Sequence, residues 1–243
     1  MKIIILCAGS SSRTKLGYPK CLYKFQDGER LIEKNIRLIK KLDVKNKDIF
    51  FATGFKSNEV KKKTKYKFNY VKNIKYKTTN MIYSLNKVLQ NLVNDDILIL
   101  YSDILFEIAC LKKIYKSKSK ISTLVDLDWK KKWKIKTNYK DDLEELILKK
   151  SRIVSMGKKV YSSRNIDGRF IGITKFSKKF INEIKRNRFI DNVLFKDNRI
   201  DFTNFLNLLI NNSYNIKAIT GKFKWNEFDT FDDFKSYEKL KNK

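Results

Sequence analysis

The chain has 243 residues, 42% hydrophobic and 33% charged, with three cysteines, no histidine and a formal net charge of +29, which is length enough to bury one substantial α/β core. The missing histidine excludes an imidazole general base and the commonest zinc ligands, and Cys7, Cys21 and Cys110 sit at no metal-ligand spacing and are too few for a disulfide framework. A pI near 9.9 would ordinarily raise nucleic-acid or membrane binding. The lysines are instead spread along the whole chain, in company with abundant Asn and Ile and scarce Gly and Pro, so neither a nucleic-acid nor a membrane partner is expected. Met1 leads straight into an apolar run and no stretch reaches membrane-spanning length, which predicts a cytoplasmic protein.

In chain order, Lys2 to Leu6 is a β-branched and aliphatic run, the composition of a strand buried on both faces of a parallel sheet. It breaks into Ala8-Gly9-Ser10-Ser11-Ser12-Arg13, a small-residue loop whose N–H groups can approach a phosphate and whose arginine can neutralise it. Pro19-Lys20-Cys21-Leu22 returns a second cation to the loop. A plain turn with a solvated Lys and Arg is the alternative reading, and the loop is neither a Walker A sequence nor a dinucleotide fingerprint. Leu31 to Leu42 predicts a helix with Leu31, Ile32, Ile36, Leu38, Ile39 and Leu42 inward and Glu33, Lys34, Arg37 and Lys40 outward. Asp48 to Thr53, ended by Gly54, predicts a strand, Val60 to Lys65 a short basic helix and Phe68 to Val71 a third strand. This βαβαβ rhythm predicts a sheet whose ligands sit at the carboxyl ends of its strands.

The opening stretch resembles the signature of the nucleotidyltransferases that make activated sugars and CDP-alcohols, L-A-A-G-x-G-x-R, a gap, then P-K. Leu6, Ala8, Gly9, Arg13, Pro19 and Lys20 match it; Cys7 stands for the first Ala and Ser11 for the second Gly, which calls for an ordinary backbone conformation at Ser11. Thr78-Thr79-Asn80-Met81-Ile82-Tyr83-Ser84-Leu85 reads first as a helix N-cap, and it also resembles a T-N-M-x-x-S-L segment of the phosphocholine and aminoethylphosphonate enzymes. Ile97 to Leu100 is an apolar strand with Asp103 just beyond, a turn former by default; the segment resembles the family's G-D-x-x-F, with Ser102 for Gly. Trp225-Asn226-Glu227-Phe228-Asp229-Thr230 with Asp232 and Asp233 resembles the closing W-x-E-I-D-T-x-E-D, while Asp232 and Asp233 suit the first turn of a helix.

The resemblance implies an α/β fold, a Rossmann-like nucleotidyltransferase domain with a central mixed, mainly parallel sheet flanked by helices. It also implies nucleotide binding by Leu6, Ala8, Gly9, Ser10, Ser11, Asn80, Ser84 and Ser102, catalysis by Lys20 and Arg13, and Mg²⁺ held by Asp103 and Asp229. Mg²⁺ takes one or two protein carboxylates and fills its shell with phosphate and water. The attacking oxygen of a phosphate or phosphonate acceptor is already ionised at neutral pH, so a chain without histidine can run the reaction.

For the acceptor, Val125-Asp126-Leu127-Asp128-Trp129, with Trp133 one helical turn on, has two readings. The Trp side chains are either core and surface residues or, beside Asp126 and Asp128, a cation–π seat for an ammonium group, and a similar V-D-x-x-W patch occurs in the phosphocholine and 2-aminoethylphosphonate cytidylyltransferases. Further likenesses to that subfamily are the acidic segment Asp141 to Glu145, the segment Val154 to Lys159, the strand Asp167 to Ile173, whose Gly172 is counted with the acceptor residues, and Ile200-Asp201-Phe202-Thr203 leading into a helix over Phe205 to Ile210. The expectation is a single domain over 1–243, with a nucleotide-binding half at 1–106 and an acceptor half at 107–243 carrying the second metal carboxylate. A homodimer paired through a sheet edge or the Trp129 region is compatible with it. The implied activity is CTP-dependent transfer of CMP to a phosphocholine- or phosphonate-type amine or alcohol for surface glycan or lipid decoration. The alternatives are a sugar-1-phosphate nucleotidylyltransferase, a cytidylyltransferase for a phosphorylated amino acid amide, and a basic nucleic-acid-binding protein on a degenerate version of the fold.

Overall fold

The computed structural model describes residues 1–92, 94–133 and 143–241. The opening apolar run forms β1 (Lys2–Cys7), with Ile3, Ile4 and Ile5 buried. Then come α1 (Leu31–Lys40), β2 (Ile49–Thr53), α2 (Ser57–Lys63), β3 (Asn69–Lys72), α3 (Met81–Leu89) and β4 (Ile97–Tyr101). These strands pair in parallel in the order β3-β2-β1-β4, so their carboxyl ends open on one edge, where such sheets bind ligands.

Helix α1 begins where the Glu33 carboxylate accepts from the Arg30 N–H at 2.7 Å, an N-terminal acid capping orphan donors. Its inner face departs from the expected pattern: Lys34 and Asn35 are buried. The Lys34 ammonium reaches Asp27 and Glu29, and the Asn35 amide donates to the Ile104 carbonyl at 2.8 Å. Helix α2 starts three residues ahead of the expected Val60, its Ser57 hydroxyl sharing a 2.7 Å hydrogen bond with Thr53.

The chain continues through β5 (Ile104–Phe106), α4 (Ile108–Tyr115), β6 (Ile121–Asp126), α5 (Trp129–Trp133), β7 (Glu144–Lys149), β8 (Arg152–Lys159) and β9 (Arg169–Phe176). It closes with α6 (Lys178–Arg186), α7 (Phe189–Lys196), α8 (Phe202–Asn211), β10 (Ile216–Gly221), β11 (Trp225–Glu227) and α9 (Phe231–Lys241). The large sheet runs β3-β2-β1-β4-β9-β6-β10-β8-β7 and draws strands from both halves of the chain. β9 is antiparallel to β4 and β6, and β8 is antiparallel to β10 and β7, whereas β6 and β10 are parallel. Only β8 and β9 therefore oppose the direction of β1, and the sheet is mixed but mainly parallel. Helices cover both faces: Ile82, Leu85, Phe180, Phe202 and Phe205 of α3, α6 and α8 pack in one core, and Ile32, Ile39 and Leu111 of α1 and α4 in the other.

β5 and β11 form a separate antiparallel ribbon, with Phe106 opposite Trp225 and Ile104 opposite Glu227. Beyond it, α9 packs an aromatic cluster. Phe234 stacks on Tyr23 with ring centroids 3.9 Å apart and on Phe228 at 4.3 Å.

Candidate active site

The turn after β1 is built around Gly9 and Ser11. A Cβ at Gly9 would meet nothing within 4 Å, so this stretch of backbone faces open cleft. Ser11 takes φ 56° and ψ 25°, the left-handed region that the sequence pattern did not predict for a serine. Its side chain and carbonyl supply the compensation. Ser11 Oγ accepts from the Lys20 N–H at 2.9 Å, and the Ser11 carbonyl accepts from the Thr14 hydroxyl at 2.8 Å. Two such bonds offset a conformational cost of about 1–2 kcal/mol.

Lys20, in a short 3₁₀ turn at Lys20–Leu22, is thereby tied to the loop at its backbone. Its Nζ lies 2.6 Å from Asp103 Oδ2 and 3.5 Å from Asp229 Oδ1, while Arg13 Nη2 lies 2.7 Å from Asp229 Oδ1. Asp103 and Asp229 meet because β5 and β11 pair, and the Phe228 N–H donates to the Asp103 carbonyl at 2.9 Å. The Asp233 carboxylate then accepts from the N–H groups of Asp229 and Thr230, each at 2.8 Å. Burial works against the Lys20 charge, but Asp103 and Asp229 outweigh it and raise its pKa, so the ammonium persists at neutral pH. Among the described residues no cluster of three or more His, Cys, Asp or Glu could hold a metal. Two carboxylates without thiolate or imidazole suit a hard dication that completes its shell with phosphate and water.

The same cleft is lined by Leu6, Ala8, Gly9, Ser10, Ser11, Arg13, Lys20, Asn80, Ser84, Ser102 and Asp103. Asn80 also caps α3, its side-chain oxygen accepting from the Met81 N–H at 2.8 Å and its amide donating to the Arg199 carbonyl at 3.0 Å, so the cap reading and the cleft position hold together. Asn73 and Tyr76 line this cleft as well and were not singled out in the sequence. Buried Asn73 donates at 2.9 Å to both Thr79 Oγ1 and Ser84 Oγ, and its own oxygen accepts from the Lys75 N–H at 2.9 Å. It follows the last residue of β3, the strand-end position that marks the loop after β1, and that placement was the available signal.

The acceptor residues fare differently. Asp126 is 0% exposed and takes hydrogen bonds from Trp225 Nε1 at 2.8 Å, from the N–H groups of Phe223 and Asp128 at 3.2 Å, and from the Lys132 ammonium. Trp129 is 3% exposed and packs in the core with Leu124, Phe223 and Trp225. A buried carboxylate with its acceptors filled and a buried indole cannot seat an ammonium ligand, which corrects the expectation for Asp126 and Trp129. Asp128 is half-buried and pairs with Lys131 at 3.5 Å. The Trp133 side chain, Asp141 and Asp142 lie outside the described residues. Gly172, at φ 76°, lies against the Tyr101 ring, where a Cβ would come within 2.9 Å. It therefore meets the cleft only through Tyr101, which lines it. Burial pushes the Tyr101 phenol well up, and Glu144, Glu227, Asp103 and Asp201 add to the effect.

Residues 3–130, just over half of the chain, match the model of the MobA-like NTP transferase domain. A curated relative, the CTP:phosphoglutamine cytidylyltransferase of Campylobacter jejuni, is 29% identical over 253 residues, covering 96% of this chain and 97% of its own. Among solved structures, the inositol-1-phosphate CTP transferase of T. maritima superposes with a TM-score of 0.73 at 18% identity, covering 99% of this chain and 96% of its own. The CTP:phosphocholine cytidylyltransferase of Streptococcus pneumoniae gives 0.69 at 20%, with 98% of each chain covered. At these identities the two structures establish the fold. Among the described residues no helix is long and apolar enough to cross a membrane.

Proposed function

The chain belongs to the MobA-like NTP transferase domain family, and we propose that it transfers a cytidylyl group from CTP to a small phosphorylated acceptor with release of pyrophosphate. The observation that carries this reading is the meeting of Lys20, Arg13 and Asp103, which line the cleft beside the Gly9–Ser11 turn, with Asp229, which both cations reach. CTP is favoured by the relative that matches nearly the whole chain. The same relative favours a phosphorylated amino acid amide as acceptor over phosphocholine or a phosphonate amine, since the Trp129 patch that argued for those is closed.

In this mechanism the backbone N–H groups around Gly9 receive the triphosphate. Lys20, kept protonated by its acidic neighbours, stabilises charge developing on the α-phosphate. The acceptor's phosphate oxygen attacks in line without a general base. Asp103 and Asp229 would hold Mg²⁺, which supplies charge neutralisation on the phosphates when bound. Asn73 fixes the Ser84 hydroxyl in the wall of the cleft, where it would face the nucleoside of a bound CTP. The CDP-linked product would serve, from the cytoplasm, as an activated donor for surface glycan or lipid decoration.

The test is pyrophosphate release with Mg²⁺, crossing the four NTPs with phosphoglutamine, phosphocholine, 2-aminoethylphosphonate and glucose-1-phosphate. Turnover confined to CTP with phosphoglutamine is expected. Turnover with glucose-1-phosphate would make the protein a sugar-1-phosphate enzyme. Silence across the grid, joined to steeply salt-dependent binding of DNA or RNA, would support a degenerate fold turned to nucleic acid.

A further inference from the structure

The two carboxylates assigned to Mg²⁺ each touch a cation already. Lys20 Nζ stands 2.6 Å from Asp103 and 3.5 Å from Asp229, and Arg13 Nη2 stands 2.7 Å from Asp229. Two negative charges face two positive ones, so a divalent ion arriving alone meets no net attraction from this quartet. It would also compete with charge-assisted contacts on one oxygen of each carboxylate, Asp103 Oδ2 and Asp229 Oδ1. Two carboxylates are, in addition, a minimal protein set for a dication that draws most of its ligands from water and phosphate.

On the functional reading above, we propose that Lys20 and Arg13 are placeholder cations: they block Asp103 and Asp229 against free divalent metal until a nucleoside triphosphate draws both cations onto its phosphates. Both side chains are placed to make that move. Arg13 belongs to the phosphate loop and its side chain is 63% exposed, so little packing holds it on Asp229. The Lys20 backbone is anchored to Ser11 Oγ, so its ammonium can shift from Asp103 toward the loop while its root stays fixed. A triphosphate brings several negative charges to the cleft that both residues line, and each cation that leaves a carboxylate uncovers a metal ligand. Metal and triphosphate then bind with positive coupling, and the coupling is reciprocal. The empty quartet holds two positive and two negative charges in balance, and the metal is admitted only with its phosphate ligands.

The experiment is a Mn²⁺ titration read by water-proton relaxation, which reports metal held on protein, performed without nucleotide on the wild type, Lys20→Met and Arg13→Met. At least tenfold tighter Mn²⁺ binding is expected in both variants, and adding Asp103→Asn to Lys20→Met should abolish the gain. Thermal melts establish folding, and Arg13→Met, at an exposed side chain, keeps the test open should Lys20→Met unfold. Equal affinity in wild type and variants, whether tight or undetectably weak, overturns the blocking role and leaves the metal assignment standing if a non-hydrolysable CTP analogue still brings Mn²⁺ onto the wild type. No relaxation enhancement in any protein, even with that analogue, overturns the metal reading and the inference with it.

Discussion

Burial opposes the charge on Lys20, yet Asp103 and Asp229 keep it protonated, so truncating this side chain removes a cation that its neighbours are placed to hold. Lys20→Ala and Asp103→Asn should each lower turnover at least about a hundredfold, the scale of one preorganised charge at a reacting phosphate, with an unchanged circular dichroism spectrum; full activity in either would remove the mechanism. Gly172 makes a different demand. At φ 76°, with a Cβ position 2.9 Å from the Tyr101 ring, Gly172→Ala should cost about 1–3 kcal/mol and push Tyr101 into the cleft. A urea midpoint equal to wild type would show that the ring gives way freely. Lys20, Arg13, Gly9, Asp103 and Asp229 stood out in the sequence through the family motifs that hold them, not through local pattern, since Asp103 alone reads as a turn former; the structure brings the four charged groups together beside the Gly9 turn. Ser11 was misread, since its left-handed conformation depends on a bond to Lys20 that no local pattern announces. Asn73 was missed because one Asn after a strand looks like any turn former.

The elements show the same division. β1 through β4 follow from apolar runs alternating with amphipathic helices, a signal local to each segment. The β5–β11 ribbon is a pairing across more than a hundred residues, and only the family resemblance related Asp103 to Asp229 in advance. The aromatic and acidic residues that end β6 and begin α5 were ambiguous for a physical reason: an indole beside a carboxylate has the same sequence whether it faces a cationic ligand or a buried partner. Here the partner is Trp225, whose Nε1 donates to Asp126 at 2.8 Å. Asp126 thus pins β6, α5 and the approach to β11 together. Asp126→Ala would leave that indole N–H without its acceptor and Lys132 without its carboxylate, at a cost of about 3 kcal/mol. Trp129→Ala would open a core cavity at about 3–5 kcal/mol. Both losses should appear in urea melts, with the acceptor KM unchanged in whatever protein remains folded. A large rise in acceptor KM at full stability would instead place Trp129 at the ligand.

At the scale of the molecule, 55 lysines and arginines face 26 acids, so the fold carries self-repulsion that its carboxylates moderate. Several of these acids are held below their ordinary range by a cation: Asp27 by Lys34, Glu29 by Arg37, Asp48 by Lys2 and Glu183 by Lys120. A carboxyl depressed in the folded state contributes stability above its unfolded value, near 4, and loses it as the pH falls through the folded value, because the unfolded chain then binds more protons. Acidification therefore acts twice, removing these pairs and leaving the basic side chains unopposed. The melting temperature should be nearly level from pH 7 to 5 and drop steeply below about pH 4. Salt separates the two contributions. At neutral pH it weakens attraction and repulsion together, so 1 M salt, with a screening length of about 3 Å, should move the melting temperature little. At pH 3, below the ordinary carboxyl range, the basic side chains are far less opposed, so the same salt screens mainly repulsion and should recover part of the loss. Failure of salt to restore stability at pH 3 would assign the acid transition to the broken pairs and remove self-repulsion from the account.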